Sequence, residues 1–303
     1  MLNTSLLFQR SHTNCVRGLS VLLIVVFHVL LNWDGMPRYI NLIGSVCVAA
    51  FLFLSGYGIH ESYKKSGLTN YWFKRFKRII IPYTLFITAL IPFTDDFSWR
   101  DYLLDITYIH SYYSYYWFIE FLIYNYAVYW IAQRFFPKHL LLVFLLSGIF
   151  FLNVLMQIEA EQAFSFVAGV WASQHIERIR EMEARKVVAF TIVCFLFGLF
   201  FLLLKEIPSV HSYKGTLPYN YILLCIKLPM AVSVLVFPLF MPILLRSRIL
   251  YLSGISSLEI YLVHLALIDM IDMNYLNLFY YVCLTVVLTY LFYQVNQFIL
   301  RWK

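Results

Sequence analysis

Residues 17–33 read RGLSVLLIVVFHVLLNW, and this stretch decides the fold class. Its nearly unbroken apolar run predicts a helix that crosses a lipid bilayer. Two residues depart from that pattern: Arg17 at the edge and His28 further along. At about 1.5 Å of rise per residue, His28 lies about 16 Å beyond Arg17, near the middle of a hydrocarbon layer about 30 Å thick. A histidine at that depth is costly and suits acid–base chemistry near neutral pH, so it predicts a functional site inside the membrane.

The composition extends this interpretation to the whole chain. Of the 303 residues, 62% are hydrophobic and 13% are charged, against about 45–50% and about 25% in soluble domains. The apolar residues are spread in blocks, which predicts an all-α polytopic transmembrane bundle, a single integral-membrane domain over residues 1–303. No separate soluble catalytic domain is expected, so the chemistry must lie on the spans and short loops.

Ten transmembrane spans are predicted, and the charge pattern orients them. Most of the 23 Lys and Arg residues fall on the same side of the predicted membrane as the N-terminus, and the positive-inside rule assigns that side to the cytoplasm. An even number of spans then places both termini in the cytoplasm. The aromatic stretch 109–116 predicts an outer interfacial belt, or else a surface that stacks on sugar rings. The predicted spans are residues 18–33, 42–60, 79–94, 116–132, 140–157, 162–176, 187–204, 221–243, 256–273 and 277–300.

The net charge of +7 does not indicate a nucleic-acid partner. The basic residues lie in short loops beside apolar runs, where they act as topology signals next to the lipid bilayer. The five cysteines are scattered and form no CxxC pair, so neither a disulfide framework nor a metal site is expected. Lys227 falls inside a predicted span, and we expect its ammonium to extend towards the outer water without a catalytic role.

A second intramembrane histidine, His264, occurs in SSLEIYLVHLALI at residues 256–268. Counted from the inner edge of its span, it lies at about the same depth as His28. Two polar residues at one level predict a shared polar cavity, or alternatively two unrelated histidines that bond to neighbouring helices.

A basic cluster in TNYWFKRFKRIIIPY, residues 69–83, begins the third predicted span. Arg75 and Arg78 are three positions apart, so a helix would place them on one face. Two guanidiniums there could bind phosphates bidentately, and coenzyme A carries several phosphates and is available in the cytoplasm. The alternative is a loop that fixes topology and contacts anionic lipid headgroups.

Small and polar residues interrupt the second predicted span, in FLFLSGYGIHESY at residues 51–63. Ser55, Gly56 and Tyr57 predict either a break beside a cavity or ordinary close packing of small residues. In the fourth span, Glu120 lies in the outer half of YYWFIEFLIYNY. Its carboxylate predicts a partner such as an imidazole or the hydroxyls of an acceptor, unless outer water solvates it.

Together these segments resemble the acyltransferase 3 family of membrane acyltransferases. The resemblance rests on RGLSVLLIVVFH, FLFLSGY, FKRFKRIIIPY, YYWFIEFLIY and SSLEIYLVH, in this order from residue 17 to residue 264. It implies transfer of an acyl group, usually acetyl, from cytoplasmic acyl-CoA to an acceptor, often a sugar of a cell-surface polysaccharide or glycolipid. No metal is implied, and we expect a multi-pass protein of the bacterial inner membrane.

The resemblance also implies roles for individual residues. His28 matches the histidine held to be essential in the family's first span, and Arg17 matches its arginine. The basic motif that the family links to coenzyme A matches Arg75 and Arg78. The donor-binding candidates are Arg17, Ser55, Tyr57, Arg75 and Arg78. The catalytic candidates are His28, Glu120, Tyr261 and His264.

The expected reaction begins when acyl-CoA docks from the cytoplasm and its pantetheine arm brings the thioester near His28. His28 then acts as a general base on the acceptor hydroxyl, or as the nucleophile of an acyl-histidine intermediate. Tyr261 and His264 orient His28 or stabilise the oxyanion. The competing class is a membrane transporter or glycolipid flippase, because intramembrane ionisable residues are also typical of transporters.

Overall fold

The computed structural model describes residues 3–33, 41–93, 97–107, 116–271 and 274–301. The chain is 87% helical and has no strand among the described residues, which confirms the all-α class. A π-helical segment, Phe76–Ile80, lies between two of the helices, and single 3₁₀ turns occur at Thr4–Leu6, Ile91–Phe93 and Pro137–His139. The helices are α1 (Arg10–Leu31), α2 (Asn41–Ser66), α3 (Tyr71–Arg75), α4 (Ile81–Leu90), α5 (Trp99–Ile106), α6 (Trp117–Phe135), α7 (Leu140–Val154), α8 (Gln157–Ala160), α9 (Ser165–Gln174), α10 (Ile176–Glu181), α11 (Ala184–Glu206), α12 (Pro208–His211), α13 (Leu217–Phe240), α14 (Pro242–Leu245), α15 (Arg248–Ile255), α16 (Ser257–Met270) and α17 (Tyr275–Arg301).

The chain divides into two compact units, each of which is described by itself. Unit 1 comprises Met1–Ser66 and Phe136–Ser257, and unit 2 comprises Gly67–Phe135 and Leu258–Lys303. Unit 1 therefore contains α1, α2 and α7 to α15, and unit 2 contains α3 to α6, most of α16, and α17. The single domain expected over residues 1–303 stays a prediction.

Unit 1 is built around α2 and α13. α2 packs along α9, α13 packs along α11, and α1 packs against both α2 and α15. Glycines bring α2 and α9 close together: a Cβ added at Gly56 would lie 1.9 Å from the carbonyl oxygen of Phe166, and one at Gly169 would lie 1.8 Å from that of Phe53. α2 runs unbroken through Gly56. Of the two alternatives for this segment, close packing of small residues is therefore the one observed.

The core of unit 2 joins α4, α6 and α16. Tyrosine and isoleucine side chains from α4 and the start of α6 pack on leucines of α16. The π-helical segment continues α3 into α4 and also packs against α17, which places α17 beside the basic cluster. The buried members of this core are Tyr83, Ile87, Tyr116, Ile119, Leu262 and Leu265.

Seven described helical segments are long and apolar enough to cross a membrane, and α15 with α16 adds an eighth if the pair forms one broken span. The polytopic architecture is confirmed, but the count of ten spans is not. The predicted span 162–176 corresponds to α9, whose 10 residues rise only about 15 Å against a hydrocarbon layer of about 30 Å. The predicted span 116–132 corresponds to α6, which has 19 residues but is not among the seven candidate spans and carries several polar side chains.

The orientation with both termini in the cytoplasm stays a prediction. The aromatic stretch 109–116 lies outside the described residues except for Tyr116.

The first span begins earlier than the sequence predicts. α1 starts at Arg10, so Arg17 lies inside the helix, about two turns after its start. α1 ends at Leu31, so His28 lies in the last turn of the helix. The depths of Arg17 and His28 in the membrane stay predictions. The apolar run alone set the predicted start at residue 18, because the preceding residues are polar and give no sign that they continue the same helix.

Candidate active site

His28 is oriented by its own helix. Its Nδ1 lies 3.0 Å from the carbonyl oxygen of Ile24, one turn earlier in α1. Because a carbonyl only accepts hydrogen bonds, Nδ1 carries the hydrogen, and the neutral ring then has its lone pair on Nε2. The ring of Phe27 lies beside it, with the two centroids 4.6 Å apart. This arrangement gives His28 a defined tautomer in which Nε2 can accept a proton.

The other candidates in unit 1 lie where α1 and α2 pack. Arg17 Nη2 is 3.7 Å from the position of a Cβ built on Gly58, so its guanidinium lies against α2. The Ser55 hydroxyl donates to a carbonyl oxygen one turn earlier in its own helix, at 2.9 Å. Tyr57 is buried, and its ring stacks on that of Phe8 with the centroids 4.7 Å apart. The contacts of Ser55 and Tyr57 belong to the helix and the core of unit 1, and their donor-binding role stays a prediction.

In unit 2, His264 repeats the geometry of His28. Its Nδ1 donates to the carbonyl oxygen of Ile260 at 2.7 Å, which again leaves the lone pair on Nε2. The side chain is fully buried, and the ring of Tyr261 lies 6.0 Å from it. Tyr281 of α17 donates its hydroxyl hydrogen to the carbonyl oxygen of His264 at 3.4 Å. The structure therefore places Tyr261 next to His264 and adds Tyr281 to them, and the catalytic roles stay predictions.

Aromatic rings hold Arg75 at the end of α3. Its guanidinium carbon lies 4.3 Å from the centroid of Tyr71 and 5.8 Å from that of Tyr126, and Nη1 donates to the Tyr71 carbonyl oxygen at 3.1 Å. The Tyr71 hydroxyl donates to the carbonyl oxygen of Tyr126 at 2.8 Å, which fixes the stacking surface. Arg78 is exposed and lies in the π-helical segment, whose wider turn replaces the regular α-helical spacing expected between the two arginines. The chain thus fixes one guanidinium and exposes the other.

Glu120 lies in the first turn of α6 and is half-buried. The hydroxyl of Tyr124, one turn later, donates to its carboxylate. The partner in the structure is therefore a phenol from the same helix, whereas the sequence suggested an imidazole, an acceptor or water. The catalytic role of Glu120 stays a prediction.

Sequence reasoning missed His12, a fully buried histidine near the start of α1. Its Nδ1 accepts a hydrogen bond from the amide of Phe8 at 3.2 Å, and its Nε2 donates to the carbonyl oxygen of Leu235 in α13 at 2.9 Å. The backbone thus engages both ring nitrogens, so His12 ties the start of α1 to α13. The residue precedes the predicted first span, and nothing in the sequence marked it.

A buried carboxylate, Glu259, was also missed, although it lies in the segment that carries His264. It is 6% exposed, and Nδ2 of Asn296 in α17 donates to its Oε1 at 2.8 Å. An acidic residue inside a predicted span is the signal that could have found it. The pair joins the beginning of α16 to the second half of α17.

Lys227 is buried, which corrects the expectation that its ammonium reaches the outer water. Its Nζ lies 3.8 Å from the carboxylate of Glu161 and donates to the Ser45 hydroxyl. The neighbouring Gln162 donates its Nε2 hydrogen to the carbonyl oxygen of Ser45 at 3.0 Å. Paired in this way the ammonium can stay buried, because a buried charge is strongly unfavourable only when it has no partner. These residues tie together α2, α13 and the segment between α8 and α9.

One protein family matches nearly the whole length of the chain. The sequence profile of the acyltransferase 3 family, Acyl_transf_3, described as an acyltransferase domain, matches residues 13–294. The matched region includes every candidate residue in both units. No curated protein and no solved structure matches the chain significantly. The chain therefore belongs to the acyltransferase 3 family and is a membrane acyltransferase.

Proposed function

We propose that the protein transfers an acyl group, acetyl in the first instance, from cytoplasmic acyl-CoA to a hydroxyl of a cell-surface sugar, polysaccharide or glycolipid. The membership of the family supports acyl transfer by a membrane protein. The observation that carries the choice of donor is the arginine pair of unit 2, in which Arg75 is fixed on Tyr71 and Arg78 is exposed. We place the protein in the bacterial inner membrane, where both the donor and the acceptor are accessible.

The arginine pair suits the phosphates of coenzyme A. A guanidinium stacked on an aromatic ring can still direct the in-plane N–H donors that do not bond to the Tyr71 carbonyl oxygen towards a phosphate, and it loses little conformational freedom when it binds. Lys74 precedes the pair and Lys77 lies between its two members, and both add positive charge. A lipid headgroup carries phosphate as well, so the experiment must distinguish recognition of the soluble acyl-CoA from binding of lipid headgroups.

His28 is proposed as the general base. With the hydrogen of Nδ1 held by Ile24, Nε2 takes the proton of the acceptor hydroxyl while the hydroxyl oxygen attacks the thioester carbonyl. The tetrahedral intermediate then collapses, the carbon–sulfur bond breaks, and the thiolate of coenzyme A receives the proton from the imidazolium. The products are an ester of the acceptor and free coenzyme A. The predicted roles of Tyr261 and His264 in stabilising the oxyanion concern the same step.

Free coenzyme A provides the direct test of this function. Purified protein in lipid nanodiscs is mixed with acetyl-CoA, with and without a glycan fraction from the cell surface, and thiol release is followed with a chromogenic thiol reagent. The proposal expects release that depends on both substrates, together with a mass increase of one acetyl group on the glycan. Binding or movement of a glycolipid without thiol release would indicate a transporter and would contradict the proposal.

A further inference from the structure

The buried face of α17 is polar, which is unusual for a helix that crosses a membrane. Most of its residues are exposed and apolar, whereas those classed as buried are Tyr281, Thr285, Thr289 and Asn296. Their spacing of four, four and seven positions places them on one face of the helix. A membrane helix normally packs its protein-facing side with small or apolar residues and gives its polar groups partners.

We call these four residues, Tyr281, Thr285, Thr289 and Asn296, the polar stripe of α17. Two polar atoms on the stripe lack such partners. Among the described residues, no hydrogen bond reaches the Thr289 hydroxyl or Oδ1 of Asn296, although both residues are more than nine-tenths buried. A helical threonine usually bonds to the carbonyl oxygen one turn earlier, as Thr191 does to Val187 at 2.8 Å. A buried polar group without a partner is unfavourable, so these atoms point to a ligand that supplies the missing bonds.

Glu259 holds the amide of Asn296 in a defined orientation. The carboxylate accepts the hydrogen bond from Nδ2 at 2.8 Å, so the amide plane is fixed and Oδ1 is left to accept from another group. At the opposite end of the stripe, Tyr281 bonds to the backbone of His264. At about 1.5 Å of rise per residue, the stripe runs for about 22 Å between Asn296 and Tyr281.

The contacts of unit 2 and the predicted topology together put the basic cluster at the Asn296 end of the stripe. The π-helical segment that carries Arg78 packs against α17, and further along the chain the ring of Phe86 in α4 lies 5.4 Å from that of Phe292 in α17. α4 and α17 run in opposite directions in the predicted topology. The segment that precedes α4 therefore lies beyond Phe292, towards Asn296 and the C-terminal end of α17.

We infer that the polar stripe of α17 binds the pantetheine arm of the acyl-CoA donor and guides the thioester towards His264. The inference rests on the proposed function and names the residues that contact the arm. Pantetheine is an extended chain of amide groups with a hydroxyl, so it offers N–H donors to Asn296 Oδ1 and carbonyl acceptors to the threonine hydroxyls. The arginines hold the phosphates at one end, and Glu259 acts as a positioning residue through Asn296.

Three acetyl donors of different length separate this stripe from the phosphate site. Acetyl-CoA carries both the phosphates and the arm, S-acetyl-pantetheine carries the arm alone, and S-acetyl-N-acetylcysteamine lacks most of the arm. Each donor is assayed with the wild-type protein and with the double variant Thr285→Val and Thr289→Val, which keeps the side-chain shape and removes the hydroxyls. The single variant Thr289→Ser keeps a hydroxyl at that position, and Tyr280→Phe removes a hydroxyl from the exposed face of α17 as the matched control.

The double variant is expected to raise KM about tenfold for acetyl-CoA and for S-acetyl-pantetheine. The kinetics of the short donor and the KM of the acceptor should stay unchanged, and Thr289→Ser and Tyr280→Phe should resemble the wild type. Because the Thr289 hydroxyl has no hydrogen bond to lose among the described residues, and valine keeps the shape of both side chains, the melting temperature should change little. Loss of donor affinity without loss of stability is a pattern that a purely structural stripe would not give.

An unchanged KM for S-acetyl-pantetheine, or an equal loss with all three donors, would overturn the assignment of the stripe while leaving the proposed function intact. If the wild type used none of the three donors, the proposed function would fail and the stripe assignment would fall with it. The wild-type measurement therefore separates the two failures.

Discussion

Lys227 Nζ lies 3.8 Å from the carboxylate of Glu161 within unit 1, and each residue is 7% exposed. The ammonium also donates to the Ser45 hydroxyl, so it bonds to two elements besides its own helix. Charges that are buried in this way are stabilising only as a pair, since each partner compensates for the loss of water around the other. The pair therefore makes the packing of α13 depend on the segment that carries Glu161.

Removing one member of this pair should destabilise unit 1 more than removing both. Lys227→Met leaves a buried carboxylate without its cation and is expected to destabilise unit 1 by about 3–5 kcal/mol, whereas adding Glu161→Gln should recover much of that loss. Thermal unfolding in detergent measures Lys227→Met, Glu161→Gln and the double variant. Lys186→Met breaks the exposed pair with Glu183 and serves as control, with an expected effect below about 1 kcal/mol. A double variant as unstable as the sum of the two single ones would contradict this account.

His12 is expected to contribute to stability and not to chemistry. His12→Ala leaves the Leu235 carbonyl oxygen and the Phe8 amide without their bonds, at about 1–3 kcal/mol for each buried group. Phe8 adopts a left-handed backbone with φ 56°, and it needs such support because L-residues rarely populate that region. The melting temperature should fall, while turnover per folded molecule stays at the wild-type value. The exposed His139→Ala is the control, and a loss of turnover at unchanged melting temperature would refute the structural role.

The approach of α2 to α9 depends on its two glycines. Gly169→Ala would bring a methyl group to 1.8 Å from the Phe53 carbonyl oxygen, so the helices must separate and lose packing. Gly58→Ala in the same helix pair of unit 1 is the control, because its added Cβ meets nothing closer than 3.7 Å. Melting temperatures should fall strongly for the first variant and little for the second. Similar melting temperatures for both would show that close packing at Gly169 is unimportant.

The sequence alone predicts the long apolar helices but not how they are capped, bent or paired. α11, α13 and α17 follow directly from apolar runs long enough to span a bilayer. The start of α1 at Arg10 and the π-helical segment at Phe76–Ile80 depend on backbone hydrogen bonds that leave no mark in the pattern of apolar residues. The short α9 looks like a span in sequence because it is apolar, although it ends after 10 residues.

Pairings between residues in distant segments could not be predicted from the sequence either. Lys227 and Glu161 are far apart in the chain, and only the fold brings them within 3.8 Å. The bond between Asn296 and Glu259 has the same origin. Contacts within one helix are closer to what a sequence can indicate: Arg75 stacks on Tyr71 and Glu120 meets Tyr124, in each case four positions apart.

Loss of the arginine pair should weaken binding of the phosphate-containing donor specifically. Arg75→Ala with Arg78→Ala is expected to raise KM for acetyl-CoA by about 10²-fold, since each charged contact to phosphate contributes about 1.5–3 kcal/mol. S-Acetyl-pantetheine has no phosphate at this position, so its KM should not change. Arg134→Ala at the end of α6 is the matched control, because it removes an exposed arginine of unit 2. An equal rise in KM for both donors, or an equal rise in KM for the acceptor, would exclude phosphate recognition by the pair.

The central claim is that an imidazole in α1 accepts the proton of the acceptor hydroxyl. His28→Gln keeps a polar side chain of similar size but cannot take up a proton, and kcat for acetyl transfer should fall by about 10²–10⁴-fold. KM for acetyl-CoA should change little, because the proposed phosphate contacts are made elsewhere. His211→Gln replaces an exposed histidine of the same unit and should act like the wild type.

Acceptor-dependent release of coenzyme A by purified His28→Gln, measured beside the wild type at matched melting temperature, is the most direct test. The account predicts that the wild type releases coenzyme A in the presence of acceptor and that the variant does so about 10²–10⁴-fold more slowly. Turnover of the folded variant at the wild-type rate would contradict the assignment of His28 as the catalytic base.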